Sequence, residues 1–265
     1  MTGSSEVVLL GHRGTSTQAP ENTAPAFQFA IDHHADILEI DVRLSRDNHV
    51  LVIHDETLDR TTNGSGPVRQ AVLTDLKKLD AAYRFQPFAG TNLFKGQGTS
   101  LLTLSELFTQ FPEIGVNIDI KDNDNHAVDA VVRDIDDCEA TARCVVASFH
   151  DGVLCYCRER YPHIETSAGM SDVKRFYWWY LTGQRGAAPL ACRLFQLPTQ
   201  YYGLSLSSQR FIRAIHTAEG AINYWTINKP NHMRRLLQRG ADGIVTDRAD
   251  LASAVFKRHR EGRAG

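Results

Sequence analysis

Eight short apolar, β-branched runs alternate with eight helical patterns along this chain, and that alternation restricts its fold more than any other feature. The runs are Val7–Gly11, Ile37–Val42, Gly115–Ile120, Cys144–Ala147, Glu165–Ala168, Arg193–Leu197, Ile222–Trp225 and Gly243–Val245. Helical patterns follow at Ala24–His33, Leu104–Phe111, Ala127–Asp136, Gly152–Arg160, Val173–Leu181, Gln209–Ala218, Met233–Arg239 and Leu251–His259. Strands separated by helices predict a parallel sheet with helical crossovers. A chain of 265 residues, 42% of them apolar, supports one large core. The expected architecture is α/β: a single (β/α)8 TIM barrel spanning 1–265. A doubly wound open sheet is the alternative. No GxGxxG or GxxxxGK[ST] word follows a strand, which weighs against it.

Two segments fall outside the alternation. "VLVIHD", residues 50–55, follows "ILEIDVRL" after only five residues. That gap is too short for a parallel crossover. The run is therefore predicted to return antiparallel, as a hairpin arm that brings His54 near the level of Glu39 and Asp41. Residues 56–102 hold a turn-forming "TTNGSG", a short helix at best in "AVLTDLKKLDAAY", and a Gly- and Thr-rich stretch. So long a connection predicts an inserted loop or small subdomain, of the kind that covers an active site or merely ornaments a surface.

Composition excludes several classes. A net charge of −2 without a basic stripe gives no reason to expect a nucleic-acid partner. The N-terminal apolar run is four residues long and lacks a positive flank, so neither a signal peptide nor a membrane span is expected. Five cysteines, an odd number without a CxxC, fit free thiols in a reducing cytoplasm better than disulfides or zinc.

The chemistry gathers at strand ends. Strand residues alternate faces. In "ILEIDV", Leu38, Ile40 and Val42 can pack on helices while Glu39 and Asp41 point into the barrel. "VNIDIK" repeats this, with Asn117, Asp119 and Lys121 on the inner face. Two like charges about 4 Å apart repel by roughly 4 kcal/mol at an effective dielectric of 20. Three inward carboxylates therefore need bound protons, a cation or ion pairs with Lys121 and Arg43. Hard oxygen ligands suit Mg²⁺ or Ca²⁺. Of the eleven histidines, most lie at helix ends or surface positions. His12 and His54 each end an apolar run, where a barrel delivers side chains to its active face. Such a pair can divide acid and base duties near neutral pH. Arg13, beside His12, offers a planar fork for phosphate. Asn22 or Thr23 is expected to cap the helix that follows, and Glu21 is either a supporting partner of the site or a dipole-favoured acid.

Seven words of the sequence together resemble the glycerophosphodiester phosphodiesterase family. They are "GHRG" (11–14), "PENT" (20–23), "LEIDV" (38–42), "VIHDETLDRTTNG" (52–64), "NIDIK" (117–121), "YWTIN" (224–228) and "ADGIVTD" (241–247). They occur in family order over nearly the whole chain. The resemblance implies a TIM barrel with a family-specific insertion after the second histidine. It also implies metal-dependent hydrolysis of glycerophosphodiesters to sn-glycerol 3-phosphate and an alcohol. Carried onto matching positions, His12 and His54 look like the acid–base pair, and Glu39, Asp41 and Asp119 like ligands of one divalent ion. Mg²⁺ is the expected ion and Ca²⁺ the alternative. Arg13 and Lys121 look like phosphate contacts, and Trp225 like part of the substrate wall. Asp119 stands where the family often has Glu, and a shorter arm shifts what that ligand can reach.

Two other readings stand beside this one: a lysophospholipase D acting on a diester that keeps one acyl chain, and an inactive homologue that retains the metal site. Metal amidohydrolases share the barrel, but "HRG" lacks their HxH. The aromatic run "FYWWY", 176–180, covers every face of a helix. It is expected to lie beneath a neighbouring loop, to form a homodimer interface, or to meet a lipid-like substrate.

Overall fold

The computed structural model describes residues 7–87, 90–183 and 186–262. Its strands are β1 (Val8–His12), β2 (Ile37–Leu44), β3 (Val50–Val52), β4 (Gly115–Ile120), β5 (Cys144–Ala147), β6 (Leu194–Leu197), β7 (Gln200–Tyr201), β8 (Leu204–Ser205), β9 (Ala221–Tyr224) and β10 (Gly243–Thr246). Its α-helices are α1 (Ala24–Asp32), α2 (Leu73–Leu76), α3 (Leu104–Gln110), α4 (Asn125–Asp137), α5 (Asp151–Arg160), α6 (Met170–Leu181), α7 (Gln209–Thr217), α8 (Pro230–Arg239) and α9 (Ala249–Glu261).

The main sheet runs β5-β4-β2-β1-β10-β9-β6, with every neighbouring pair parallel. Residues 165–168 occupy the eighth position and close the ring. They do so through single parallel bridges, Val146 to Thr166 and Ser167 to Leu194, rather than as the regular strand expected. The Ser167 N–H donates to Val146 O at 2.9 Å, and the Ala168 N–H to Leu194 O at 2.7 Å. One residue pair on each side leaves no ladder. Arg158 supplements these contacts, donating to the Thr166 hydroxyl and to Ser167 O, each at 2.8 Å. The result is a (β/α)8 TIM barrel.

The core lies between barrel and helices. Leu38, Ile40, Val42, Val116, Ile118 and Ile120 are buried there on the outer face of β2 and β4. Two glycines account for the tight exit of β1. A Cβ on Gly11 would meet Gly14 O, and Gly14 itself has φ +82 and sits against the backbone of Ala26. A side chain at either position is strained or excluded. β3 pairs antiparallel with β2, matching Val42 with Val52 and Leu44 with Val50. The connection after β3 builds a small core of its own from Leu51, Ile53, Leu58, Val68, Leu76, Ala81 and Leu101. Among its described residues, one turn of α-helix, α2, forms.

The capping expectation at α1 fails. Thr23 is at the N-cap, but its hydroxyl donates to Pro20 O, and the Asn22 side chain is committed to Asp41. The helix start has given its polar side chains to the site. In α6, Phe176 is fully buried against Phe195 and Phe211, while Tyr177 and Tyr180 also pack on Phe211. No helix among the described residues is long and apolar enough to cross a membrane.

Candidate active site

β2 and β4 pair in a register that sets Asp41 directly beside Asp119 and Glu39 beside Asn117. Their inner faces carry the carboxylates, all three nearly or fully buried. One carboxylate oxygen from each of Glu39, Asp41 and Asp119 lies within 4.8 Å of the others. Lys121, just past β4, places Nζ 2.8 Å from Asp41 Oδ1 and 2.7 Å from Asp119 Oδ2. Arg13 Nε lies 3.0 Å from Asp41 Oδ2, to which Asn22 Nδ2 also donates at 3.0 Å. The two cations hold Asp41 below the usual carboxylate range despite its burial. Glu39 is less well served: the Arg13 N–H donates to its Oε2 at 3.1 Å and the nearby His12 and Lys121 favour its charge, but they are outweighed. Burial and the adjacent Asp41 push its carboxyl up to about 7. Burial also raises Asp119.

Two cations among three carboxylates leave the group short of positive charge. Asp119 Oδ1 is buried without a hydrogen-bond donor. An orphaned buried carboxylate oxygen beside two other hard oxygen donors is what a divalent cation requires. The residues present fit such an ion. Of the alternative, ion pairs with Lys121 and Arg43, only the Lys121 part occurs. Arg43 instead donates from Nε to His54 O at 2.8 Å and from Nη1 to Asp122 Oδ1 at 2.8 Å. It anchors the end of the hairpin arm rather than neutralising the acids.

Both histidines line one cavity of about 650 Å³ together with Arg13, the three carboxylates, Lys121 and Trp225. Trp225 meets Phe149 edge-on at 5.9 Å on its wall. His12 Nδ1 lies 2.6 Å from Asp247 Oδ1, and His54 Nδ1 lies 2.7 Å from Asp55 Oδ1. A carboxylate only accepts, so each Nδ1 donates and each Nε2 is left for proton transfer. His12 Nε2 points toward Glu39, 4.0 Å from its Oε2. Burial opposes a charge on His12. The hydrogen bond to Asp247 and the charges of Glu39 and Asp247 outweigh that, so its pKa lies above the ordinary value.

These orienting carboxylates are not singled out by spacing alone. Asp247 closes the word "ADGIVTD" at the tip of β10, and only the pairing of β10 with β1 carries it to His12. It is itself held by the Ser16 hydroxyl (2.8 Å) and Asn228 Nδ2 (2.7 Å). Asp55 and Glu21 are joined by Arg60, whose guanidinium donates to both carboxylates at 2.6–2.9 Å. Glu21 also accepts from Arg13 Nη1 at 2.9 Å. A chain of ion pairs thus runs from His54 through Asp55, Arg60 and Glu21 to Arg13. Glu21, inside "PENT" just before the helix start, hinted at a supporting role; Arg60 lies inside the word "VIHDETLDRTTNG", but nothing in its spacing singles it out.

Asp247→Asn is expected to lower kcat by about 10- to 100-fold, the usual cost of losing a partner that fixes a functional imidazole. The amide stabilises the His12 cation less than a carboxylate does. The limb of the pH–rate profile that His12 governs should therefore move to lower pH. A profile unchanged in both height and position would show that Asp247 does not orient the ring.

Residues 12–251 match the model of the glycerophosphoryl diester phosphodiesterase family. A glycerophosphodiester phosphodiesterase of Caldanaerobacter subterraneus subsp. tengcongensis is 30% identical over 253 residues, which are 91% of this chain and 94% of that one. A lysophospholipase D of Rattus norvegicus is 27% identical over 263 residues, 90% of this chain and 82% of its own. The crystal structure of a glycerophosphodiester phosphodiesterase from Agrobacterium tumefaciens superposes with a TM-score of 0.76 at 26% identity, covering 94% of this chain and 99% of that one. With the barrel, the inward acids and the paired histidines already in view, a family match over nearly the whole ring means that the chain belongs to the glycerophosphoryl diester phosphodiesterase family.

Proposed function

We propose that this chain hydrolyses glycerophosphodiesters to sn-glycerol 3-phosphate and an alcohol, with His12 and His54 exchanging protons. The observation that carries this reading is the convergence of two carboxylate-oriented imidazoles and three mutually close carboxylates on one cavity. Glu39, Asp41 and Asp119 would hold a divalent ion, Mg²⁺ first and Ca²⁺ second, which supplies Lewis-acid stabilisation of charge on the phosphoryl group. Arg13 and Lys121 would bind the non-bridging phosphate oxygens and Trp225 would flank the glycerol. All five cysteines are free thiols, in keeping with a reducing, cytoplasmic compartment.

Glycerol carries a hydroxyl next to the esterified carbon. One histidine takes the proton from that 2-hydroxyl, whose oxygen attacks phosphorus, and the other gives a proton to the departing alcohol oxygen. The resulting cyclic phosphate is then opened by water, with the histidines in exchanged roles. Intramolecular attack gains from proximity, with effective molarities of about 10⁵ M or more. A substrate whose 2-hydroxyl is replaced by hydrogen should therefore turn over at least about a hundredfold more slowly than its parent. Equal kcat on both would leave direct attack by water as the route.

The same cavity is lined by Met170, Val173, Tyr177, Pro198 and Leu206, apolar surface that a small polar diester does not cover. That favours a second reading, a lysophospholipase D whose substrate retains one acyl chain. The test of both is release of glycerol 3-phosphate or of lysophosphatidate. The substrates are glycerophosphocholine, glycerophosphoethanolamine, glycerophosphoglycerol, glycerophosphoinositol and a lysophosphatidylcholine, each assayed with Mg²⁺, Mn²⁺ and Ca²⁺. Turnover of none of them would refute the proposal.

A further inference from the structure

Most of the large apolar side chains exposed among the described residues gather near the lip of the cavity. Trp178 and Leu181 project from α6, 69% and 58% exposed, and Tyr202 and Leu204 from the β7–β8 hairpin, 89% and 47% exposed. Large apolar side chains exposed singly are ordinary, but a contiguous group of them marks an interaction surface. Trp178, Tyr202 and Leu204 also line the cavity, so the patch is continuous with its mouth. Basic side chains outnumber acids around it, although Arg193 is paired with Glu219 and Asp151 accepts from the Ser171 N–H at the start of α6. The described residues between 170 and 213 hold five basic side chains, Lys174, Arg175, Arg193, Arg210 and Arg213, and a single acid, Asp172. Asp172 is buried and already paired with Arg158 and Arg175. This positive lobe belongs to a chain whose net charge is −2. Lys174 lies one turn before Trp178 and reaches the cavity wall, and the guanidinium of Arg210 sits 5.6 Å from the centre of the Tyr180 ring.

Tryptophan and tyrosine flanked by lysine and arginine are the side chains that settle at a bilayer–water interface. A second copy of this chain is the competing occupant. A two-fold contact through this face would set the same lobe of cations against itself. We propose that the aromatic rim formed by α6 and the β7–β8 hairpin docks on an anionic lipid surface, with the mouth of the catalytic cavity turned toward the lipid. The surface binds through Trp178, Leu181, Tyr202 and Leu204 entering the interface and through Lys174 and Arg210 facing acidic headgroups. Docking rests on this rim alone and does not depend on which diester the cavity hydrolyses.

Co-sedimentation of the full chain with vesicles of phosphatidylcholine, or of phosphatidylcholine containing phosphatidylglycerol, tests this directly. The chain should bind the anionic vesicles at least about tenfold more tightly than the neutral ones, since each basic residue near the surface adds about fivefold. Raised salt should reduce the difference. Leu181→Ser with Tyr202→Ser should lower binding by at least about tenfold, while an unchanged melting curve and circular-dichroism spectrum report that the fold is intact. Arg210→Glu should lower binding to the anionic vesicles only. Equal or negligible binding to both vesicle types, or binding unaffected by the rim variants, overturns the proposal. So does a chain of twice the monomer mass that dissociates in the Leu181→Ser, Tyr202→Ser variant, because the rim is then a dimer interface. Loss of all diester turnover with vesicle binding intact would count against the catalytic reading and leave the docking reading standing.

Discussion

Replacing His12 or His54 by alanine is expected to lower kcat by about 10²–10⁴-fold in each case, the range supplied by a positioned general acid or base. Each imidazole has Nδ1 committed to a carboxylate, Asp247 or Asp55, and each lines the cavity that holds the inward acids. In the proposed mechanism one takes a proton while the other gives one, so the pair should act as a unit, and the double variant should lose far less than the product of the two single losses. KM should change little, since the proposed phosphate contacts, Arg13 and Lys121, remain in place. Wild-type kcat/KM should trace a bell against pH, with one limb missing in each single variant. Steady-state assays on glycerophosphocholine read all of this. A near-normal kcat for His54→Ala would show that the arm formed by β3 delivers no acid–base group.

Exhaustive chelation is expected to lower turnover by roughly 10³-fold or more, because Lewis-acid stabilisation is worth several kcal/mol of barrier. Re-addition of Mg²⁺ should restore it. The three carboxylates are buried with too few cations, and Asp119 Oδ1 has no donor. Asp119→Asn removes both charge and a hard ligand and should weaken metal affinity at least about tenfold. Its effect on folding should be smaller, because the change also relieves like-charge repulsion with Asp41 across the β2–β4 pair. Calorimetric titration of the metal separates affinity from activity, and a melting curve reads the fold. Full activity after chelation would overturn the metal assignment, and unchanged metal affinity in Asp119→Asn would remove that residue from the ligand set.

The barrel was legible because its two periods are written plainly. Period-two alternation in "ILEIDV" and "VNIDIK" places acids inside and aliphatics outside, and β2 and β4 carry them so. The antiparallel return of 50–52 followed from a connection too short for anything else. What sequence could not convey was side-chain traffic between distant segments. Asn22 reads as a helix cap and is instead a donor to Asp41. Arg43 reads as a counter-ion for the acids and instead grips the carbonyl of His54. Arg60 lies in an insertion with no periodicity, so nothing local announces its bridge between Asp55 and Glu21. The segment 165–168 has a strand's composition but forms only one bridge with each neighbour. The aromatic run in α6 divides by face, with Phe176 in the core and Trp178 in the open, a split fixed by where Phe195 and Phe211 stand.

His12 and its orienting partner Asp247 are separated by 235 residues. They meet only where the first strand of the ring pairs with the last. A chain emerging from the ribosome therefore carries the imidazole, Arg13, Arg60 and the three inward carboxylates long before it carries the group that fixes the imidazole's tautomer. Until the final βα unit docks, His12 lacks the carboxylate that orients its ring, and β1 lacks its neighbour β10. Proton transfer at this centre thus reports completion of the ring, so that recovery of activity during refolding should lag behind recovery of helical signal and coincide with the docking of β10 onto β1.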